Sequence, residues 1–178
     1  MDGLSHIGKK QQCDIYYDTQ NNDLYLKSVF LRKRNNKVID IKYNFDKTDV
    51  SHLFCNESSF GFPLSNESND SLDKFLSQLE IQHRKENNDI FVKYQLDEFV
   101  VIYKYRDSYK GDDIEVSFDT VNNLGEYIEI EAKTEKGKEY IDNFLVKENI
   151  QRIKTGYVEL YLKKYNYELY QKGKYLED

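Results

Sequence analysis

The chain of 178 residues has few cysteines, a single proline and no long apolar run, and each scarcity excludes a class of protein. Two cysteines, Cys13 and Cys55, provide no disulfide framework. With no signal-like N-terminus, they indicate free thiols in a reducing cytoplasm. No run of about 18 apolar residues is present, so we expect no membrane span. The net charge of −6 gives no footprint for nucleic acid, although a local cluster of Lys and Arg could still bind an anion.

What the sequence does contain is aromatic bulk, 16 Tyr and 10 Phe, enough for the core of one domain spanning residues 1–178. β-Branched and aromatic runs separated by polar turns predict about eight strands. They cover residues 13–18, 28–34, 37–45, 50–58, 89–97, 99–109, 112–119 and 126–133. Helical spacing predicts helices over 68–81, capped by Ser68 or Asn69, over 134–149, capped by Thr134, and over 155–173. The sum predicts a mainly β fold: an antiparallel eight-stranded barrel, closed or partly open, with about three helices outside.

Charged residues recur on single faces of these strands, because strand side chains alternate with period two. Arg32 shares a face with Arg34, Lys104 with Arg106, and Glu129 with Glu131. The same rule groups Glu115, Ser117 and Asp119, and groups Lys42 with Asp40. We expect the apolar residues Phe30, Ile39, Ile41, Ile128 and Ile130 on the opposite faces, covered by the helices.

Two interpretations of the charged faces remain open. Each face could simply be solvated, as one side of an antiparallel sheet often is. Alternatively, the charges line an interior, which is costly unless a ligand occupies it. A polyphosphate with a divalent metal fits that interior, since Arg and Lys neutralise phosphate oxygens and carboxylates bind Mg²⁺ or Mn²⁺.

"DIYYDTQNNDLYLKSVFLRKR" has the pattern D-x-Y-[YF]-D-T followed by an L-R-x-R strand, and "YKYR" that of a K-x-R strand. These segments resemble the CYTH superfamily, the triphosphate tunnel metalloenzymes, which includes class IV adenylyl cyclases and thiamine triphosphatases. "IEVSFDTVNNLGEYIEIEA" resembles the family's D-x-V-x-x-L-G-x-[FY]-x-E-I-E segment, and "KTGYVELYL" its late Lys followed by S-Y-x-E-L-L. The resemblance implies an eight-stranded barrel that encloses a tunnel.

One departure from the family pattern concerns the first strand, which carries E-x-E-x-K in other members and has no counterpart here. "LSHIGKKQQ" resembles the end of the helix that follows that strand, so the sequence looks as if it begins one strand and one helix late. The start is either trimmed or naturally short. Because a barrel without one strand has two unpaired edges, we expect a homodimer or an exchanged segment to complete it.

The resemblance implies roles for the charged residues. The residues expected to hold a triphosphate are Arg32, Arg34, Lys42, Arg106, Lys154 and, unless it is only a salt-bridge partner, Lys104. Those expected to bind Mg²⁺ or Mn²⁺ are Asp119, Glu129, Glu131 and Glu57, and the first three are also the candidate catalytic residues.

Three functions follow from the resemblance. The first is metal-dependent hydrolysis of thiamine triphosphate, a nucleoside triphosphate or tripolyphosphate. The second is a class IV-type adenylyl cyclase that makes cyclic AMP and pyrophosphate. The third is a non-catalytic module that binds nucleotide or polyphosphate. In all three the partner is a triphosphate-containing small molecule, without nucleic acid or membrane.

Overall fold

The computed structural model describes residues 3–46, 48, 55–84 and 87–176. The strands of this part are β1 (Ser5–Asp18), β2 (Val29–Arg34), β3 (Val38–Tyr43), β4 (Asn56–Gly61), β5 (Asp97–Lys110), β6 (Ile114–Val121) and β7 (Gly125–Ala132). The helices are α1 (Asp23–Leu26), α2 (Asn66–Ser77), α3 (Ile90–Lys93), α4 (Glu135–Lys147), α5 (Tyr157–Tyr165) and α6 (Tyr167–Tyr170).

The seven described strands form one sheet in the order β4-β3-β2-β1-β5-β6-β7. Each pairing with a resolved register is antiparallel. The predicted mainly β fold with accompanying helices is therefore confirmed. The described strands do not close into a ring, since their order ends at β4 and at β7.

The chain divides into two compact units, and β1 and β5 contribute residues to both. Unit 1 comprises Met1–Gln12 and Ile102–Ile153, and unit 2 comprises Cys13–Val101 and Lys154–Asp178. In unit 1, Ile114 and Val116 of β6 pack with Ile141 of α4. The larger core of unit 2 includes Leu31, Ile39, Ile41, Leu72 and Leu76, which join β2 and β3 to α2.

Local signals in the sequence correctly predicted one tight turn and one helix cap. Asn35 and Asn36 both have positive φ, 49° and 58°, and form the tight turn between β2 and β3. Thr134 caps α4 as predicted, because its Oγ1 accepts a hydrogen bond of 3.0 Å from the backbone N–H of Gly137.

Two predicted elements are wrong. Residues 89–97 alternate like a strand, yet they contain the short helix α3, which Asp89 caps by accepting hydrogen bonds from the N–H groups of Phe91 and Val92. The segment 4–12 is not a helix end, because β1 already begins at Ser5. A helix is disfavoured there by Gly8, whose φ of 141° lies outside the helical region.

Smaller differences concern element ends and faces. α2 begins at Asn66, two residues before the predicted start at residue 68, with Ser65 as its N-cap. The predicted third helix is divided at Asn166 into α5 and α6. Phe30 lies on the charged face with Arg32, since the two are separated by one residue on β2, and Ile128 is 61% exposed rather than covered. The predicted strand over 50–58 is described only from residue 55, because residues 49–54 lie outside the described part.

Two expectations from composition can also be compared with the structure. Cys13 and Cys55 are free thiols. None of the helices in the described part of the chain has the length and apolar character needed to cross a bilayer.

Candidate functional site

The charged residues of unit 2 form a cluster on β1, β2 and β3. The tight turn at Asn35 and Asn36 sets the register of the β2–β3 hairpin, which places Arg32 opposite Asp40. On the other side of β2, the β1 register places Arg34 opposite Asp14. Strand alternation predicted the shared face of Arg32 and Arg34, and pairing supplies each arginine with a carboxylate.

Both arginines are held by these carboxylates through several hydrogen bonds. The Nε and Nη2 atoms of Arg32 lie 3.1 and 2.6 Å from Oδ2 of Asp40. Arg34 binds Asp14 in a bidentate arrangement, with distances of 2.8 and 3.2 Å. The side chain of Arg32 is only 10% exposed, whereas that of Arg34 is 28% exposed. Arg34 is therefore the more accessible donor of the two.

Asp40 is an ionised anchor of this cluster. Burial raises the pKa of Asp40, but hydrogen bonds from Ser59 (2.7 Å) and from Arg32 outweigh that effect and hold it below the ordinary value. The carboxylate therefore stays charged and keeps the guanidinium of Arg32 fixed in position.

Lys42 and Glu57 lie at the more open side of the cluster. Their ion pair is 3.1 Å long, and their side chains are 37% and 42% exposed. Glu57 also lies 3.8 Å from Arg32. Since both partners are solvated, the pair contributes little stability, and Lys42 can exchange Glu57 for another anion at low cost.

A small pocket of about 30 Å³ adjoins this cluster. It is lined by Tyr16, Phe30, Arg32, Asp40, Lys42, Gly156, Tyr157, Val158 and Glu159. Burial raises the pKa of Tyr16, so its phenol remains a neutral hydrogen-bonding group beside Arg32. Lys154, the remaining candidate of unit 2, is half-buried and lies two residues before Gly156.

The charged residues of unit 1 form a second network, on β5, β6 and β7. Asp119 is paired with Arg106 in the register of β5 and β6. It accepts hydrogen bonds from Nε and Nη2 of Arg106 at 2.7 and 2.5 Å, and from Nζ of Lys104 at 3.1 Å. Arg106 also donates to Glu129 at 2.6 Å. Burial and the neighbouring Arg106 lower the pKa of Lys104, and the acidic residues Glu129 and Asp119 offset this only in part. The hydrogen bond to Asp119 is what supports its interpretation as a salt-bridge partner.

The carboxylates of unit 1 differ in how well they fit a metal ion. Both oxygens of Asp119 already accept hydrogen bonds from cations, so its side chain faces Arg106 rather than an open coordination site. Glu129 and Glu131 are more open, with side chains 38% and 47% exposed. Lys133 lies 2.5 Å from Glu131, and no group of three or more His, Cys, Asp or Glu is arranged around a metal position within the described residues.

Sequence reasoning missed Asp14, which neutralises Arg34, and the serine pair of unit 1. Asp14 was not identified, although it precedes the aromatic Tyr16 on the same face of β1 and could have been found by extending the alternation rule to that strand. Ser117 was placed on the charged face of β6 by alternation, but its partner Ser108, which lies opposite it on β5, was not identified. Their position emerges only from the register of the strands.

The chain is similar to one protein family and to several proteins of known structure. The model of a protein family described as the CYTH domain matches residues 2–159. A protein of known structure from Pyrococcus horikoshii is similar with a TM-score of 0.57 and 18% identity, covering 92% of this chain and 89% of its own. A candidate adenylate cyclase from Bacillus halodurans gives 0.58 and 19%, covering 84% and 82%.

A further similar structure comes from Hippeastrum, a candidate adenylyl cyclase described as having a dominant triphosphatase activity. It has a TM-score of 0.53 and 20% identity, and the match covers 96% of this chain and 86% of its own. No curated protein matches the chain. At these identities the solved structures support the fold alone, and the family assignment rests on the domain match.

Proposed function

Because the chain belongs to the CYTH family, we propose that it is a divalent-metal-dependent enzyme that hydrolyses triphosphate compounds. Thiamine triphosphate, a nucleoside triphosphate and inorganic tripolyphosphate are the candidate substrates. The proposal rests above all on one observation: Arg32 is almost fully buried on a strand face and borders a pocket that Lys42 also lines.

Buried charge of this kind is difficult to explain by stability alone. Hydrophobic residues of similar volume often stabilise a fold at least as well as a buried ion pair, so the arginine supports a functional role. Arginine suits phosphate because its planar guanidinium donates two parallel hydrogen bonds to an oxyanion. In unit 2 the neutralising residues Asp40 and Asp14 hold the guanidinium groups in place before a ligand arrives.

In unit 2, the accessible cations Arg34 and Lys42 would bind phosphate oxygens. Arg32, which Asp40 holds in a fixed position, would orient these oxygens. Lys154 would add a further positive charge. Arg106 of unit 1 would neutralise phosphate charge in the same way, with Asp119 and Lys104 positioning it. Charge neutralisation of this type is the main contribution of protein residues to phosphoryl transfer.

Mg²⁺ or Mn²⁺ is the cofactor implied by the family, and Glu129 and Glu131 are the carboxylates of unit 1 that fit it best, with Glu57 as the candidate in unit 2. A bound divalent ion would polarise the phosphoryl group and lower the pKa of water. Glu129 is also the candidate general base, because its partly exposed side chain can contact water, although the hydrogen bond from Arg106 to one of its oxygens lowers its basicity. Asp119 as a direct metal ligand stays a prediction.

A class IV-type adenylyl cyclase is the second candidate. The segment from Asp119 to Glu131, which forms the β6–β7 hairpin, resembles the cyclase-like branch of the family. The same cations would hold ATP, and the nucleophile would be its ribose hydroxyl instead of water. Phosphate binding without turnover is the third candidate, because the accessible cations Arg34 and Lys42 can bind an anion whether or not a metal ion is held.

Product analysis separates the three candidates. The protein is incubated with ATP, thiamine triphosphate or tripolyphosphate, with Mg²⁺, with Mn²⁺ and with a chelator. Metal-dependent release of inorganic phosphate supports the hydrolase, whereas cyclic AMP with pyrophosphate would replace it by the cyclase. Tight binding without any product would leave only the binding module.

Lys42→Ala provides a matched test of the proposed site. Its loss should raise the KM or Kd for the triphosphate about tenfold, the effect of one charged hydrogen bond. Lys37→Ala removes the same charge from an exposed position at the β2–β3 turn and should leave the value unchanged. Equal effects of the two substitutions would remove Lys42 from the site.

A further inference from the structure

Lys133, the residue that follows the end of β7, has no role in the proposed function, yet its ammonium group lies against one of the candidate metal ligands. Its Nζ is 2.5 Å from Oε2 of Glu131 and 3.4 Å from Oε2 of Glu115. One positive charge thus contacts two carboxylates. It engages an oxygen of Glu131 that a divalent ion would also need.

The register of β6 and β7 explains why a cation is required at this point. It places Glu115 directly opposite Glu131, and like charges in that position destabilise a sheet. Lys133 comes two residues after Glu131, so alternation along the chain puts both side chains on the same face. The backbone N–H of Lys133 donates to the carbonyl of Asp113 at 2.8 Å, which extends the β6–β7 pairing beyond Ala132.

The backbone of Lys133 is fixed, whereas its side chain is free to move. The next residue, Thr134, caps α4, and its hydroxyl donates to Oδ1 of Asp113 at 2.8 Å. The Lys133 side chain is 36% exposed and ends in a flexible four-carbon stem. The ammonium group can therefore leave Glu131 for water without any change in the strand or the helix.

Charge and exposure determine how this contact responds to a divalent ion. An ion pair between partly exposed side chains contributes little stability, so breaking the pair between Lys133 and Glu131 has a low cost. A divalent ion has twice the charge of an ammonium group and is attracted more strongly to the same carboxylate. Such an ion can displace Lys133, but its apparent affinity is reduced because the ammonium group must leave first.

We propose that Lys133 is a built-in competitor of the divalent metal for Glu131, and that Glu115 holds its ammonium group beside this ligand. Lys133 then sets the metal concentration at which Glu131 becomes occupied. The inference rests on the proposed function in one respect, the assignment of Glu131 as a metal ligand. It adds a regulating residue to that site.

The experiment is isothermal titration calorimetry with Mn²⁺ alone, in the absence of any triphosphate. Lys133→Met removes the charge and keeps a side chain of similar length, so the Kd for Mn²⁺ should fall about tenfold, the effect of one charged contact. Lys133→Arg keeps the charge and should leave the Kd within about threefold of the wild-type value. Lys133→Gln is a second neutral variant, with the same expected gain, if circular dichroism shows that Lys133→Met is poorly folded.

Lys136→Met is the matched control for a general loss of positive charge. Lys136 lies in the first turn of α4, is 83% exposed and pairs with Asp113 at 3.1 Å. Its removal should leave the Kd within about twofold, as expected for an exposed charge. Equal Kd values for the wild type and Lys133→Met, equal gains in Lys133→Met and Lys136→Met, or a tenfold gain in Lys133→Arg would each overturn the inference.

A separate assay of phosphate release from a triphosphate distinguishes failure of this inference from failure of the proposed function. Metal-dependent release together with equal Kd values for the wild type and Lys133→Met would keep the hydrolase and remove Lys133 as a competitor. A tenfold lower Kd in Lys133→Met without phosphate release would support the competition and count against the hydrolase. Absence of Mn²⁺ binding by both proteins would refute the competition.

Discussion

Removing the carboxylate of Asp119 tests whether the charge network of unit 1 is a fixed support or an open metal site. The side chain is fully buried and accepts hydrogen bonds from Arg106 and Lys104. In Asp119→Ala these two cations remain buried but lose their shared acceptor. The substitution therefore leaves positive charge uncompensated and also removes the group that positions Arg106.

The expected destabilisation can be bounded from the geometry. Breaking a buried ion pair by removing one partner costs about 3–5 kcal/mol. We expect a value near 3 kcal/mol, since Glu129 still accepts a hydrogen bond from Arg106 at 2.6 Å. Lys104→Met replaces one of the two cations by an apolar side chain of similar length. The double variant Lys104→Met/Asp119→Ala should therefore be at least ~1 kcal/mol more stable than the sum of the single effects.

Urea unfolding followed by circular dichroism at pH 7 measures these free energies, and Mn²⁺ titration of the same variants measures metal affinity. Asp112→Ala, which removes an exposed carboxylate from the same unit, should change stability by less than ~0.5 kcal/mol. The reasoning is refuted if Asp119→Ala loses less than ~1 kcal/mol while Mn²⁺ affinity falls more than tenfold. That result would make Asp119 a metal ligand instead of a support for Arg106.

Three further predictions concern other positions. Arg34→Ala should weaken triphosphate binding by more than ~1 kcal/mol in isothermal titration calorimetry, and unchanged affinity would exclude Arg34 from the site. Burial raises the pKa of Asp18 to about 6, although three backbone N–H donors oppose the shift. Because the pKa is higher in the folded state than in the unfolded state, Asp18 contributes fully to stability below about pH 4. This contribution, up to ~3 kcal/mol, is lost as the pH rises through about 6. Asp18→Asn should flatten the dependence of unfolding free energy on pH in that window, and an unchanged slope would contradict the shift. Gly137→Ala should lower the thermal midpoint, because its Cβ would lie 2.1 Å from the carbonyl oxygen of Asp113, whereas in an open helix the change would stabilise by ~1 kcal/mol.

Local chemistry in the sequence predicted those parts of the fold that depend on neighbouring residues. Asn35 and Asn36 tolerate positive φ, so the turn between β2 and β3 was visible, and Thr134 has a side chain that caps a helix. The wrong strand prediction over residues 89–97 also arises from local chemistry. Residues 89–97 contain an alternation typical of a strand, but Asp89 caps a short helix there, and a cap outweighs a weak periodicity over so few residues.

The candidate site was predictable to the extent that it depends on side-chain alternation along one strand. Alternation places Arg32 with Arg34 and Lys104 with Arg106 correctly, because the period of two is a property of each strand alone. The neutralising partners depend on the register between strands, which fixes Asp40 opposite Arg32. A single sequence does not contain that register, so Asp119 was assigned to a metal ion and Asp40 was given no partner, although they hold Arg106 and Arg32.

This difference changes what the charges can do. Cations without partners would create a strongly positive cavity, whereas Arg32 and Arg106 each lie within 2.6 Å of a carboxylate. A phosphate group must therefore compete with groups that already satisfy the guanidinium donors, and only the exposed cations can change partners cheaply. Lys42, whose partner Glu57 is half-exposed, is the residue at which this exchange costs least.

Raising ionic strength should accordingly weaken triphosphate binding in the wild type more than in Lys42→Ala, because salt screens an exposed contact more strongly than a buried one. Binding curves at low and high salt for both proteins measure this, and equal salt slopes would contradict the assignment of Lys42 as the exchanging cation.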